Sequence, residues 1–163
     1  MGGLATNGRP FESVWDYPRP PRVEPLDRHV RIELNGETIA ESDRAVRVLE
    51  TAGAPTVYLP RDDVQTDSLR PAHGTTECEW KGTASYFDAV VGEAVRARAA
   101  WTYPDPKPGF EALRDHIAFY ASRVDGAFLD DERVEPQPGG FYGGWVTAEV
   151  QGPIKGEPGS ESW

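Results

Sequence analysis

At 163 residues the chain is long enough for one domain with a hydrophobic core and too short for two of ordinary size. Its net charge of −10 disfavours a phosphate backbone as partner, and no run reaches the ~20 apolar residues of a membrane span, so neither nucleic-acid nor membrane binding is expected. One cysteine excludes an internal disulfide, and "MGGLATNGRP" lacks the apolar region of a secretion signal, which predicts a cytoplasmic protein. The 15 Pro and 17 Gly predict a β-rich domain with many turns.

Three segments are predicted along the chain. Residues 1–26 are rich in Gly, Pro and Arg and are expected to form an extended N-terminal arm. Its "WDYPRPP" either lies across the domain as polyproline or serves as a peptide for a partner. Residues 27–152 are expected to form a single β domain, and residues 153–163 a flexible tail.

The first strands of the central segment are predicted from period-two alternation. "HVRIEL" and "TIAES" flank Asn35-Gly36, which is a strong hairpin signal because both turn residues need positive φ. "AVRVLE" and "TVYLP" follow as two further short strands, each closed by turn residues.

The next hairpin contains the only cysteine of the chain. "TTECEW" and "TASYFDAVV" are predicted to pair, with Lys81-Gly82 as a two-residue turn. In that register Cys78 lies opposite Ser85 and shares its face with Trp80 and Phe87. A shift by one residue would reverse the two faces.

Two later segments are read from competing patterns. "EAVRARAAW" suits a helix by its Ala and Arg content and a strand by the alternation from Val95 to Trp101. "PDPKPGFEALRDHIAFY" is predicted to contain a helix, because Phe110, Leu113 and Ile117 recur at helical spacing. "AFLDDERVEP" indicates another short strand pair before the glycine-rich "PGGFYGGW".

Four motifs carry a resemblance to a known family. "CEWKGTASYF", "AAWTYPDP", "HIAFYASRVD" and "VEPQPGGFYGGW" stand in the order and spacing of bacterial domain-of-unknown-function family 427, which the chain resembles over residues 24–156. The resemblance implies a mainly β, β-tent-like fold, in which two antiparallel sheets meet at an angle, with one or two short helices. It favours a strand for "EAVRARAAWTY". The family is sometimes labelled nucleotidyltransferase-like, and the resemblance supplies no catalytic residues.

The residues themselves disfavour metal binding and nucleotide transfer. Tent-like proteins often hold zinc with two Cys pairs, whereas this chain has one cysteine and three scattered histidines, so no structural zinc and no cofactor is predicted. Asp62-Asp63 and Asp130-Asp131 are adjacent pairs, whose side chains would point to opposite faces of a strand. "PGGFYGGW" lacks the Lys-Ser/Thr of a phosphate-binding loop, so these carboxylates are interpreted as solvated turn residues.

Cys78 is interpreted first as a small apolar residue packed in the sheet. A reactive thiol and a ligand contact are the alternatives. Glu77 and Glu79 flank Cys78 in the sequence, and neighbouring carboxylates disfavour the thiolate that a nucleophile needs.

The aromatic residues are the strongest functional lead. They either close a zinc-free core or line a cleft between the two sheets that binds a flat or cationic small molecule. Trp101 and Trp145 stand beside Gly and Pro and are expected to be the most accessible. The candidate ligand-binding residues are Trp80, Lys81, Tyr86, Trp101, Tyr103 and Trp145.

Three functions follow from these patterns. The first is a small-molecule-binding domain, and the second is an enzyme of unassigned chemistry that uses Lys81, Tyr86 or a carboxylate in the same cleft. The third is a protein-interaction module that acts through the N-terminal arm. Convergent polar groups with shifted pKa values would favour the enzyme, and an aromatic pocket would favour binding.

Overall fold

The computed structural model describes residues 3–160. Within this range the strands, in chain order, are β1 (Glu12–Ser13), β2 (Arg22–Pro25), β3 (Val30–Leu34), β4 (Glu37–Ser42), β5 (Val46–Leu49), β6 (Thr56–Pro60), β7 (Leu69–Cys78), β8 (Gly82–Val91), β9 (Ala94–Thr102), β10 (His116–Phe119), β11 (Gly126–Leu129), β12 (Glu132–Arg133), β13 (Glu135–Pro136), β14 (Trp145–Val146) and β15 (Val150–Gln151). The helices are single 3-10 turns at Val14–Asp16, Arg61–Asp63, Thr66–Ser68, Glu111–Leu113 and Ala121–Arg123. Residues 3–160 contain no α-helix, and none of their helices has the length and apolar character needed to cross a membrane.

Two antiparallel sheets make up most of the molecule. The larger has seven strands in the order β2-β5-β6-β10-β9-β8-β7, and the smaller has four in the order β12-β11-β3-β4. Two short pairs complete the fold, β1 with β15 in parallel and β13 with β14 antiparallel. The mainly β fold built from antiparallel sheets, with short helices only, is confirmed.

The hairpin predicted at Asn35-Gly36 joins β3 to β4. Asn35 and Gly36 have φ values of 50° and 78°, which is the backbone that such a turn requires. Val30, Ile32 and Leu34 of β3 are fully buried, while the residues between them are partly exposed. The period-two pattern therefore predicts both the strand and its buried face.

The helix predicted in "PDPKPGFEALRDHIAFY" is wrong. Only Glu111–Leu113 is helical, and the chain then forms β10, which pairs with β6 on one side and β9 on the other. Phe110, Leu113 and Ile117 are buried as the spacing suggests, but Ile117 packs on the opposite face of the sheet from the other two. Pairing on both edges satisfies the backbone of β10, which a short isolated helix would leave largely to solvent.

The register predicted for the cysteine hairpin is also wrong. Cys78 lies opposite Gly82 rather than Ser85, so the turn has three residues, 79–81. Gly82 has a φ of 116°, a conformation that only glycine adopts readily. The changed register places Cys78 on the face of Tyr86 and leaves Phe87 on the other face.

The central strands β6 and β10 of the seven-stranded sheet are buried on both faces. The inner face of the sheet packs against the four-stranded sheet through aliphatic side chains such as Val57, Leu59 and Ile117. Its outer face carries a second cluster, which is mostly aromatic. "EAVRARAAW" forms β9 as the resemblance implied, and a bulge at Arg98, with φ of 49°, turns Trp101 to the outer face.

Both ends of the described chain pack on the domain. β2 of the N-terminal arm is the edge strand of the seven-stranded sheet, paired with β5. Val14 and Ile154 are buried together in a third apolar cluster, and the Lys155 backbone nitrogen donates to the Ala52 oxygen at 2.7 Å. Residues 1–2 of the predicted arm and residues 161–163 of the predicted tail lie outside the described range.

Candidate ligand pocket

The aromatic cluster forms where four neighbouring strands place side chains on the same outer face. Tyr58 on β6, Tyr86 on β8 and Trp101 on β9 are joined by Tyr103 and Tyr120, which directly follow β9 and β10. Tyr58 stands between Val57 and Leu59 in sequence, and alternation therefore sends it to the face opposite those two residues. All five rings are at most 8% exposed.

A cavity of about 250 Å³ opens on this cluster. Its walls come from β5, β6, β7, β8 and β9 and from two later loops. The lining residues are Val48, Glu50, Thr51, Gly53, Ala54, Thr56, Tyr58, Thr76, Glu77, Cys78, Lys81, Tyr86, Trp101, Tyr103, Tyr120, Gln137, Phe141, Tyr142, Gly143 and Lys155.

The rings of the cluster hold one another in fixed orientations. The Trp101 and Tyr120 centroids are 4.7 Å apart, and Tyr58 meets Trp101 edge to face at 6.1 Å. The Trp101 indole nitrogen donates to the Tyr58 hydroxyl at 3.3 Å, and the hydroxyls of Thr76 and Tyr86 lie 2.8 Å apart. Such contacts stabilise the cluster beyond what the burial of its apolar surface contributes. They also fix the shape of the pocket before any ligand binds.

A loop formed by residues 137–144 covers part of the cluster. A Cβ atom at Gly143 would collide with the Trp101 ring, so glycine is needed for the loop to approach that closely. The Tyr120 hydroxyl donates to the Phe141 carbonyl at 3.0 Å. Gln137, at the start of the loop, accepts from the Ala54 backbone and donates to the Lys155 carbonyl.

The hydroxyls of Tyr58, Tyr103 and Tyr120 are neutral at physiological pH. Burial raises the pKa of Tyr58 and of Tyr103 well above the ordinary value. Burial, followed by the neighbouring Tyr86, raises the pKa of Tyr120 to about 12. These groups therefore donate and accept hydrogen bonds as hydroxyls rather than acting as phenolate bases.

Cations cover the outer sides of several of these rings. The Arg98 guanidinium lies 3.9 Å from the Tyr86 centroid, and the Arg123 guanidinium lies 4.2 Å from that of Tyr120. The Lys81 ammonium lies 5.9 Å from the Tyr103 centroid. These distances are within cation–π range, so the protein's own charges already engage the rings.

Four of the six predicted ligand-binding residues come together here: Lys81, Tyr86, Trp101 and Tyr103. Trp80 is half-buried and packs at the edge of the aromatic cluster without lining the cavity. Trp101 is 6% exposed, so it lines the pocket while being largely buried.

Trp145 does not belong to this pocket, and its predicted accessibility is wrong. It is 1% exposed and packs in the core between the two sheets, where its indole nitrogen donates to the Phe119 carbonyl at 3.0 Å. The glycines before Trp145 do not make it accessible. Gly143 and Gly144 instead allow close approach to Trp101 and to Gln137, and so fix the loop.

The position of the cleft also differs from the sequence prediction. The space between the two sheets is filled by mostly aliphatic side chains together with Phe119 and Trp145, whereas the tyrosines and Trp101 line a pocket on the outer face of the larger sheet. The reason is alternation, because β6 and β9 send aliphatic residues inward and Tyr58 and Trp101 outward.

Sequence reasoning missed Tyr58 and Tyr120 as pocket residues. Both stand in short segments, "TVYLP" and "HIAFY", that are apolar at odd and even positions alike. Such a continuous apolar run is typical of a strand buried on both faces, and that pattern predicts a second cluster outside the inter-sheet core.

The acidic pairs lie away from the aromatic pocket. Asp130 and Asp131 occupy the turn between β11 and β12, with φ values of 49° and 68°, as the turn interpretation predicted. Asp63 pairs with Arg44 at 2.9 Å. Among residues 3–160, no three His, Cys, Asp or Glu side chains are grouped so that they would hold a metal ion.

Comparison with known families identifies the family to which the chain belongs. The model of the family described as "Domain of unknown function (DUF427)" matches residues 22–130, about two thirds of the chain. The match runs from β2 to the turn after β11, so it contains the aromatic floor of the pocket but not the 137–144 loop. A search of curated proteins found no match. The chain therefore belongs to the DUF427 family.

Proposed function

We propose that the protein binds a small molecule in the aromatic pocket on the outer face of the seven-stranded sheet. The observation that supports this most directly is a cavity of about 250 Å³ bordered by five fixed aromatic rings. Drug-sized ligands occupy pockets of roughly 300–1,000 Å³, so the size favours a compact molecule with one or two rings.

The chemistry of the lining supports binding over catalysis. A proton-transfer enzyme needs a group whose pKa lies near the working pH. Burial instead moves the pKa values of Tyr58, Tyr103 and Tyr120 upward, away from neutrality. Neutral hydroxyls beside flat ring faces are suited to orienting a ligand by hydrogen bonds and stacking.

The test is a thermal-shift screen of small aromatic compounds with a matched pair of tryptophan variants. Trp101→Phe changes the wall of the pocket and keeps a ring in place, whereas Trp80→Phe makes the same change just outside the cavity. We expect compounds that raise the melting temperature of the parent to lose most of that shift in Trp101→Phe and to keep it in Trp80→Phe.

The screen contradicts the proposal if no aromatic compound stabilises the parent protein. It also contradicts the proposal if the two variants respond alike to every hit, because binding would then lie elsewhere. Cooperative urea unfolding of each variant serves as the control that its fold is retained.

A further inference from the structure

Two ammonium groups without carboxylate partners border the aromatic pocket. Lys81 and Lys155 both line the cavity, and neither has a carboxylate within salt-bridge distance in the part of the chain that the structure describes. By contrast, Arg28 and Arg47 each contact two or more carboxylates. In a chain with a net charge of −10, two cations that have no carboxylate partner among residues 3–160 give this pocket a local excess of positive charge.

The backbones of both lysines are held in place. The Lys81 carbonyl accepts from the Lys107 nitrogen at 3.0 Å. Lys155 donates its backbone nitrogen to Ala52 and accepts from Gln137 with its carbonyl. The Lys81 ammonium lies 5.9 Å from the Tyr103 ring, and the Lys155 ammonium lies 5.3 Å from the Tyr142 ring, so both ammonium groups lie beside rings that line the cavity.

The rings are poorly placed to receive a cationic ligand. Arg98 and Arg123 already stack on Tyr86 and Tyr120, and these two arginines add positive charge behind the rings. A ligand cation in the pocket would be repelled by these like charges behind the rings.

The carboxylates of the lining do not cancel this excess. Glu77 alternates with Thr76 and Cys78, so its side chain points to the other face of the hairpin, where it accepts from the Thr83 hydroxyl. That leaves Glu50 as the lining carboxylate that could offset the positive charge of the two ammonium groups.

Building on the proposed function, we infer that the ligand is an aromatic acid. Its flat ring stacks within the cluster around Trp101, and its anionic group faces the ammonium groups of Lys81 and Lys155. The Tyr58 hydroxyl accepts from Trp101 and so keeps its own proton to donate to an oxygen atom of the ligand. A charged acceptor makes this bond stronger than a neutral one would.

The inference is tested with three probes that share one ring system and differ in charge. 2-Naphthoate is negative, 2-naphthamide is neutral and 2-naphthamidine is positive at neutral pH. By calorimetric titration at low ionic strength, we expect 2-naphthoate to bind about tenfold more tightly than the amide, and the amidine to bind most weakly.

Three lysine variants, each of which removes one positive charge, show where the preference for the acid arises. Lys81→Gln and Lys155→Gln are expected to weaken 2-naphthoate binding by about three- to tenfold and to leave the amide nearly unchanged. Lys107→Gln changes the net charge equally, but Lys107 does not line the cavity and its ammonium donates to the Glu79 carbonyl. That variant is expected to bind 2-naphthoate like the parent.

The outcomes separate this inference from the function on which it rests. If the amide or the amidine binds as tightly as the acid, and Trp101→Phe abolishes that binding, the acid preference is overturned and the pocket stands. If Lys107→Gln weakens 2-naphthoate as much as the other two variants, the preference reflects net charge and is likewise overturned. Binding by none of the probes, or binding that ignores Trp101→Phe, overturns both.

Discussion

The aromatic pocket and a second cavity, beneath the N-terminal arm, use charge in opposite ways. The second cavity has a volume of about 380 Å³ and is bordered by Trp145 and by several charged side chains. These charged residues are Arg9, Glu12, Glu24, Asp27, Arg28, Arg47 and Glu149. Here the cations are paired within the protein, whereas the lysines of the aromatic pocket have no carboxylate partner among residues 3–160.

Arg28 is the centre of this paired network. Its guanidinium donates to Asp130 at 3.0 Å and to Glu132 and the Leu129 carbonyl at 2.9 Å each. Its remaining nitrogen, Nη1, lies 3.7 Å from Glu149 and makes no hydrogen bond within the described residues. Burial of Arg28 makes this network costly to disrupt, since Glu132 and Glu149 would lose this counter-ion.

The same network attaches the arm to the domain. The Asn7 side chain donates to Glu132 and to Glu149 at 2.9 Å each, and Arg47 bridges Glu12 of the arm to Glu24 of β2. The two cavities therefore differ in how far their charged side chains are paired within the protein. The charges under the arm pair with one another and hold the structure together, while the two lysines of the aromatic pocket have no carboxylate partner among the residues that the structure describes.

Arg28→Ala tests this comparison with the largest expected effect. Removing the buried guanidinium leaves buried Glu149 and half-buried Glu132 without this counter-ion, and we expect the free energy of unfolding to fall by about 3–5 kcal/mol in urea titrations. Arg96→Ala removes an exposed pair with Asp125 and is expected to cost about 1 kcal/mol or less. Equal losses in the two variants would show that the buried network has no special role.

Acid should weaken the same network. Burial alone would raise the pKa of Glu132, but hydrogen bonds from Asn7, Ala148 and Arg28 outweigh it, so its pKa lies below the ordinary value. The pKa of Asp130 is likewise lowered, because bonds from His29 and Arg28 outweigh burial. Folding is therefore stabilised at pH values above the unfolded pKa values of about 4, and this stability is lost as pH falls through the folded values.

The measurement is urea unfolding between pH 5 and pH 3, which keeps His29 protonated throughout, since Asp43 and Glu41 raise its pKa. We expect the parent to lose stability steeply over this interval. Arg28→Ala should lose less, because Glu132 and Asp130 lose one of the interactions that lower their pKa values. A parallel loss in both proteins would contradict the assignment of the slope to Arg28.

Gly143→Ala tests how closely the 137–144 loop is held over the aromatic pocket. The added Cβ would collide with Trp101, and we expect a loss of about 1–3 kcal/mol as the loop moves away. Gly53→Ala is the matched control, because Gly53 also lines the cavity but a Cβ there meets only ordinary contacts, the nearest at 3.7 Å. A loop that tolerates Gly143→Ala as well as Gly53→Ala is not held against the ring.

The sequence predicts the sheets better than it predicts the site. Alternation at Val30, Ile32 and Leu34 identifies a strand, because that strand has one buried face. The helical spacing of Phe110 and Ile117 failed, since a sheet covered on both faces buries residues of either parity. Their aromatic residue type is enough to predict Trp101 and Tyr103 as candidate pocket residues. Which rings share a cavity is decided only by the register of β7 and β8 and by the loop over Trp101.

Cys78→Ser is expected to have the smallest effect of the four. The thiol is half-buried and lines the pocket beside Thr76, so a hydroxyl there keeps access to solvent and to polar neighbours. We expect a cost below about 1 kcal/mol in the free energy of unfolding, at the low end for placing a hydroxyl among apolar groups.

The native thiol of Cys78 also reports on the cavity, because a ligand bound against Trp101 and Tyr86 should slow its alkylation by iodoacetamide. Measured in the parent with and without a hit from the thermal-shift screen, protection would place that ligand in the aromatic pocket. Unchanged alkylation would place it elsewhere, and a large loss of stability in Cys78→Ser would mean that the thiol is part of the core.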